Sequence, residues 1–414
     1  MYMQIGIIYI DEKYQSLNAI NKDMISALQK KYTISTYKYH VDIEEKDIKR
    51  IETLYKKVDC VISLSSKCIN FTRKTVKPTL FIWHAWMDHG AWISMYHNNK
   101  FFHPSDAVSF ASRAAVKKYE YLYNDRINWF LLPYFSSINP ITTTTTNELK
   151  QIKEKYNIPQ DKKIIIYFGR LCQEKNIEGI LEIYKGLHRE DTCLLMVWNY
   201  SDQHTYGFWH TISKAKYQEK IESIVGKMNN KNIRIINGIE RETLIKILGV
   251  SYIAINTSTC YEEDFWLSNI EAMKIWLPVI CSDRGGLKEW VIHKKTGFLI
   301  KTQIKNNYTI ESKYDTALKY INTILDNPNL YKRLSWNARK RAEELYWEAT
   351  FIKNIEKILT KITNKTHTKK KQLLIPKPQI KKIFDKALQT KRVNTIYTDS
   401  PDIYKKLYKF YVSK

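Results

Sequence analysis

The chain has 414 residues, 44% hydrophobic and 26% charged, which excludes a disordered or fibrous polymer and leaves room for two domains. No stretch approaches the ~18–20 unbroken apolar residues of a membrane span, and the start lacks the basic, apolar and cleavage regions of a secretion signal. The net charge of +25 has two sources to weigh: a codon bias that scatters Lys over the surface, or an anionic partner such as a membrane or nucleic acid.

Residues 3–10 are apolar throughout and read as a buried parallel strand. Residues 18–31 repeat apolar side chains at helical spacing, and 32–37 alternate as a second strand. Residues 58–64 and 79–83 are further strands. After Trp83 comes His84-Ala85-Trp86-Met87-Asp88-His89-Gly90, at the carboxyl edge of its strand. His84, Asp88 and His89 have no further ligand cluster to make a metal site. Residues 107–112 form a short strand and 113–123 the helix after it. Strands interleaved with helices imply a parallel sheet with right-handed crossovers. The Thr run 142–146 reads as an interdomain connection, with Asn147 capping a helix over 148–156.

A second set of strands follows at 163–168, 193–197, 233–238 and 252–255. Gly169-Arg170 ends the first of these, and Lys175 lies five residues on. A planar guanidinium and a mobile ammonium suit a diphosphate, on which charge builds as it leaves. Glu263 and Glu271 stand eight apart around Asp264-Phe265-Trp266-Leu267. Glu263 is expected in a loop at a carboxyl strand edge, where open α/β sheets bind ligands, and Glu271 near the first turn of the next helix, expected to start at Ile270. A helix N-terminus there favours phosphate, and the carboxylates can accept from sugar or ribose hydroxyls. Residues 277–282 form the next strand, then Gly285-Gly286, with Glu289 opening another helix. The cysteines at 60, 68, 172, 193, 260 and 281 show no CxxC pair and several fall in apolar runs, as reduced core thiols would. A cytoplasmic protein is expected.

These two stretches resemble glycosyltransferase family 4, retaining enzymes among the group 1 glycosyl transferases. The resemblance rests on the strand and Gly169-Arg170-Leu171 with Glu174-Lys175-Asn176, and on Glu263, seven residues, Glu271-Ala272-Met273, the Pro278-Val279 strand and Gly285-Gly286 with Glu289. It implies a GT-B fold: two Rossmann-like doubly wound α/β domains facing a central cleft. The expected division is 1–140, completed by a helix at 346–362, then 147–345 for the nucleotide-sugar donor, then a basic, partly helical tail at 363–414. The resemblance implies that Arg170 and Lys175 hold the donor diphosphate, Glu263 the donor sugar and Glu271 the ribose. Gly169, the turn at Gly238 and the backbone of Phe265, Trp266 and Leu267 complete the donor site. His84 would reach the sugar, with Trp83, Trp86 and Asp88 shaping an acceptor pocket, unless that loop only packs. The chain departs from the family at residues 11–16, where a Gly-rich loop is usual, and after Pro133. It departs again at Trp198-Asn199, Asp264 and Trp266, where glycines are usual.

The implied reaction moves a hexose-type sugar from a UDP- or GDP-sugar to an acceptor hydroxyl of a glycan or glycolipid, with no cofactor. No Asp-x-Asp occurs, and the cationic pair takes the place of a divalent ion, so metal independence is expected. From Lys361 onward fifteen Lys and Arg face three Asp. Tyr404, Leu407, Tyr408 and Tyr411 fall at helical spacing there, opposite Lys405, Lys406 and Lys409. Such a helix would lie on the inner face of a membrane, grip nucleic acid or dock on the first domain. The alternatives are a DNA-modifying transferase, a basic nucleic-acid-binding protein on the same scaffold, and a GT-B epimerase or phosphorylase.

Overall fold

The computed structural model describes residues 3–10, 15–39, 43–64, 71–83, 89–138, 145–200, 212–260, 263–265, 267–305, 310–364 and 375–390. They fall into two compact units. One gathers described residues between Met1 and Ser137 with those from Leu345 onward, and the other spans Ile138–Glu344.

The first unit begins β1 (Gln4–Ile10), α1 (Gln15–Gln29), β2 (Thr33–Tyr39), α2 (Glu45–Lys57), β3 (Cys60–Ser63) and β4 (Thr79–Trp83). It continues with α3 (His89–His97), β5 (Ala107–Phe110), α4 (Arg113–Leu122), β6 (Tyr123–Asp125) and β7 (Asn128–Leu131). Its sheet runs β2-β1-β3-β4-β5-β7, parallel throughout. The strands β3, β4 and β5 are buried at every position, which is why they appear in the sequence as unbroken apolar runs rather than alternations. Asp106 is fully buried, held by the Arg73 guanidinium and by the His103 N–H at 2.8 Å.

The second unit opens with α5 (Thr146–Lys155), β8 (Lys163–Phe168), α6 (Ile177–Leu187), β9 (Thr192–Val197), α7 (Lys214–Met228) and β10 (Ile233–Ile236). Then come α8 (Arg241–Gly249), β11 (Ile253–Asn256), α9 (Leu267–Lys274), β12 (Val279–Ser282), α10 (Leu287–Trp290) and β13 (Gly297–Ile300). A hairpin of β14 (Thr302–Ile304) and β15 (Ile310–Ser312) leads to α11 (Tyr314–Leu325) and α12 (Pro328–Leu345). The sheet order is β10-β9-β8-β11-β12-β13, again parallel. Its first three strands are laid down outward from β8, and the chain then returns to β11 on the other side. The order therefore reverses between β8 and β11, and ligands of doubly wound sheets bind outside the carboxyl ends of strands at such a reversal.

The chain ends its described part in the first unit. Within α13 (Glu348–Thr363), Glu348 and Glu356 pair with Lys30 and Lys31 at the end of α1, and Phe351 packs on Phe135 at 5.1 Å. Then β16 (Ile375–Pro376) pairs antiparallel with β6, and α14 (Pro378–Thr390) buries Ile380 and Phe384. The tyrosine helix expected around Tyr404 lies outside the described residues. No helix among the described residues is long and apolar enough to cross a membrane.

Three local expectations change. Thr145, not Asn147, caps α5, because Thr145 and Glu148 form a reciprocal capping box that satisfies two backbone N–H groups. The helix α9 starts at Leu267, three residues earlier than expected, which moves Glu271 from the first turn to the second. Glu289 is the third residue of α10 rather than its opening.

Candidate active site

Two loops leave the switch point of the second sheet. The first follows β8, where Gly169 takes φ 148°, a backbone angle open mainly to glycine. It frees the chain to turn at Arg170, whose carbonyl accepts the Tyr167 hydroxyl at 2.8 Å. A single 3₁₀ turn, Gln173–Lys175, follows, and Asn176 in the left-handed region caps α6 through the Gly179 N–H at 3.2 Å. The second loop follows β11, and Thr257 and Ser258 at its start are fully buried. The Thr257 hydroxyl donates to the Asn176 carbonyl at 2.9 Å, the Asn176 amide to the Thr257 carbonyl at 3.2 Å, and the Thr259 N–H to the Glu174 carbonyl at 3.1 Å. These bonds fix one loop against the other.

The charged side chains converge where the loops meet. Lys175 Nζ lies 2.6 Å from Glu263 Oε1, although 88 residues separate them, and the Ser258 hydroxyl donates to the same oxygen. Arg170 pairs with Glu174, whose carboxylate is also 3.9 Å from Lys175 Nζ. Lys175 is 8% exposed and Glu263 5%, so the pair is largely shielded from water. Burial pulls the Lys175 pKa down, but Glu263 and Glu174 outweigh it and hold the ammonium above its ordinary value. Arg170 is likewise held above the usual guanidinium value: burial opposes its charge and Glu174 overrides it.

Glu271, buried in α9, receives Arg241 Nη2 at 3.1 Å from the first residue of α8. Gly238, at φ 70°, donates its N–H to Asn199 Oδ1 at 2.8 Å, so the two turns beyond β9 and β10 are joined. Asn199 follows Trp198, which takes φ 141° where the family resemblance led us to expect glycine. The segment carrying Glu263 is clamped from below: the Gly286 N–H donates to the Glu263 carbonyl at 2.6 Å. A Cβ on Gly286 would stand 1.6 Å from the Asp264 carbonyl oxygen, so only glycine permits this approach. Phe265 packs edge-on against Trp290 at 4.9 Å, and Leu267 is the first residue of α9.

Arg170, Lys175 and Glu263 thus form one cluster, beside Gly169, while Glu271 belongs to a second pair with Arg241. His84, Trp86, Asp88 and Trp266 lie outside the described residues. Trp83 is buried at the end of β4, and the Tyr134 hydroxyl donates to its carbonyl at 3.0 Å. Sequence reasoning missed Glu174, Ser258 and Arg241 as members of the site. The Arg170–Glu174 spacing of four was a signal for the first; for the other two only the folded loops supply one.

Residues 149–341 match the family described as glycosyl transferases group 1. Spore coat protein SA of Bacillus subtilis is 24% identical over 207 residues, 49% of this chain and 51% of that protein. The lipopolysaccharide 1,2-N-acetylglucosaminetransferase of Salmonella typhimurium is 25% identical over 159 residues, 38% of this chain and 39% of that enzyme. The chain therefore spans about half or less of the curated relatives it matches. In fold, Anabaena Alr3699/HepE, solved with UDP and glucose, superimposes with a TM-score of 0.67 at 12% identity, covering 87% of this chain and all of that one. The match to the group 1 glycosyl transferases thus falls within the second unit, on just under half of the chain, and the two parallel Rossmann-like sheets have the GT-B fold.

Proposed function

We propose that this chain is a retaining glycosyltransferase that moves a hexose-type sugar from a nucleoside diphosphate sugar to a hydroxyl of a glycan or glycolipid, without a metal ion. The observation that carries the proposal is the Lys175–Glu263 contact at 2.6 Å, which joins the β8 and β11 loops at the reversal of the sheet. A cation and an acid placed there answer the two needs of such a donor. Lys175 transfers from Glu263 to the donor diphosphate and, with Arg170, stabilises the charge that builds as the nucleoside diphosphate leaves. Glu263, released from Lys175, accepts hydrogen bonds from the sugar hydroxyls while Ser258 keeps its orientation. Glu271, oriented by Arg241, accepts from the ribose, and the turns at Asn199 and Gly238 flank the base. The N-terminus of α9 adds backbone N–H groups and a positive dipole end for phosphate. The nucleotide and the glycan acceptor are supported by the UDP-bound HepE structure and the lipopolysaccharide transferase, which carry those ligands in their own descriptions.

The test is a screen of diphosphate release from uridine-, guanosine- and adenosine-diphosphate sugars, comparing the wild type with Glu263→Ala and Arg170→Ala. One sugar should be turned over by the wild type and lost in both variants, with the product anomer matching the donor. No release from any donor, with all three proteins alike, overturns the proposal; an inverted anomer overturns its retaining part.

A further inference from the structure

Arg284 is among the largest fully buried side chains, 1% exposed, yet its Nε and Nη1 have no hydrogen-bond partner among the described residues. Partly buried arginines elsewhere direct their donors to protein: Arg73 to Asp106, and Arg341 to the Trp290 and Glu289 carbonyls at 2.9 and 2.7 Å. A guanidinium does not shed its proton, so it meets burial as a charge, and an unpaired buried charge opposes folding. Arg284 is also placed at the site. It lies just past β12, whose Val279, Ile280 and Cys281 pair in parallel with β11, so the Arg284 loop and the Glu263 loop leave neighbouring strands at one edge. Two residues on, the Gly286 N–H holds the Glu263 carbonyl at 2.6 Å, and Gly286 is pressed against the Asp264 carbonyl.

We propose that Arg284 is a further anion-binding residue of the donor site, whose fork completes its hydrogen bonds on an oxyanion of the donor. That oxyanion is either an oxygen of the diphosphate or a carboxylate on the sugar ring. The position is not one of those the family resemblance marks, and the inference rests on the donor-site reading above. A planar fork matches either anion bidentately, whereas a neutral sugar offers it only hydroxyls.

The experiment measures binding of pyrophosphate, UDP, UDP-glucose and UDP-glucuronate to the wild type, Arg284→Met and Arg284→Lys, with the melting temperature of each unliganded protein. Losing charge-assisted hydrogen bonds should weaken binding roughly 10- to 100-fold in Arg284→Met. Weakening of every probe assigns the oxyanion to the diphosphate, and weakening of UDP-glucuronate alone assigns it to a sugar carboxylate. Arg284→Lys, which keeps the charge and loses the fork, should fall between. Arg284→Met should melt at or above the wild type, because an unpaired buried charge has been removed. A variant that melts lower, or fails to fold, makes Arg284 a structural residue and overturns the proposal. Unchanged binding of all four probes overturns it also, while leaving the transferase reading intact. If the wild type binds none of them, both fail.

Discussion

The Lys175–Glu263 pair can be tested without any ligand. Lys175→Met leaves a Glu263 carboxylate that is 5% exposed, with only the Ser258 hydroxyl donating to it among the described residues. Removing one member of a buried ion pair costs about 3–5 kcal/mol, and the surviving Ser258 bond places this site at the low end, about 3 kcal/mol. In a unit the size of Ile138–Glu344 each kcal/mol moves the melting temperature by about 2–4 °C, so a drop of about 6–12 °C is expected. Glu263→Leu should cost less, since Lys175 still has Glu174 at 3.9 Å. The double variant removes both charges, and its loss should fall short of the sum of the single losses by about 1–3 kcal/mol. The assay is urea unfolding of all four proteins at pH 7.5. Because Glu263 and Glu174 hold the Lys175 pKa above its ordinary value against burial, its contribution is complete below ~10.4 and lost only at higher pH. The deficit of Lys175→Met should therefore be flat from pH 6 to 9. Single losses that add within about 0.5 kcal/mol, or a deficit that varies over that range, would refute the pairing.

Gly286→Ala drives a methyl group against the Asp264 carbonyl and should destabilise by at least about 2–3 kcal/mol, with the Glu263 segment displaced; a variant that unfolds like the wild type in urea would contradict the close approach. Thr145→Ala removes the capping box of α5 and should cost about 1 kcal/mol, whereas Asn147→Ala should change stability by less than half of that. His293 accepts the Leu299 N–H through Nδ1 and stacks edge-on against Phe298 and Tyr320, and burial followed by the Lys294 charge lowers its pKa. Its neutral form is the folded one, so this contribution is present above the unfolded value near 6.5 and lost as pH falls. Between pH 7.5 and 5 the wild type should lose stability faster than His293→Asn, which keeps an acceptor but cannot titrate; parallel curves would remove His293 from the account.

The strands were legible because parallel sheets bury both faces, leaving continuous apolar runs such as residues 164–168 and 193–197 that need no partner to be recognised. The Gly169-Arg170 turn was legible because the chain leaves β8 at a backbone angle open mainly to glycine. What escaped was set by contacts distant in sequence. Arg241 meets Glu271 across 30 residues, and nothing near either residue announces it. The Thr145 cap escaped for the opposite reason. Its Thr-x-x-Glu pattern lies inside a run of threonines whose composition suggested a linker, and composition masked position. The start of α9 was set three residues late because Ser268 and Asn269 are weak helix formers; burial of Asn269 and Ile270 decides it.

Trp198 joins fold and site through its backbone. At φ 141° a side chain is strained by about 1–3 kcal/mol, and the residue directly follows β9 with its N–H bonded to the Ile236 carbonyl at 3.0 Å, so the loop cannot simply relax. Its indole is partly buried against the core, which offsets that strain. Trp198→Ala gives up the indole and keeps the strain, whereas Trp198→Gly gives up the indole and releases it. In an ordinary strand glycine is less stable than alanine by about 0.5–1 kcal/mol; at this position the order should invert, with glycine ahead by about 1 kcal/mol in urea unfolding. Alanine equal to or ahead of glycine would show that the backbone is not strained there. The inversion has a consequence for the donor. Asn199, the next residue, holds the Gly238 turn at 2.8 Å, so relaxing position 198 also loosens the wall proposed to flank the base. Trp198→Gly should accordingly retain stability and lose nucleotide affinity, a combination that packing loss alone does not produce.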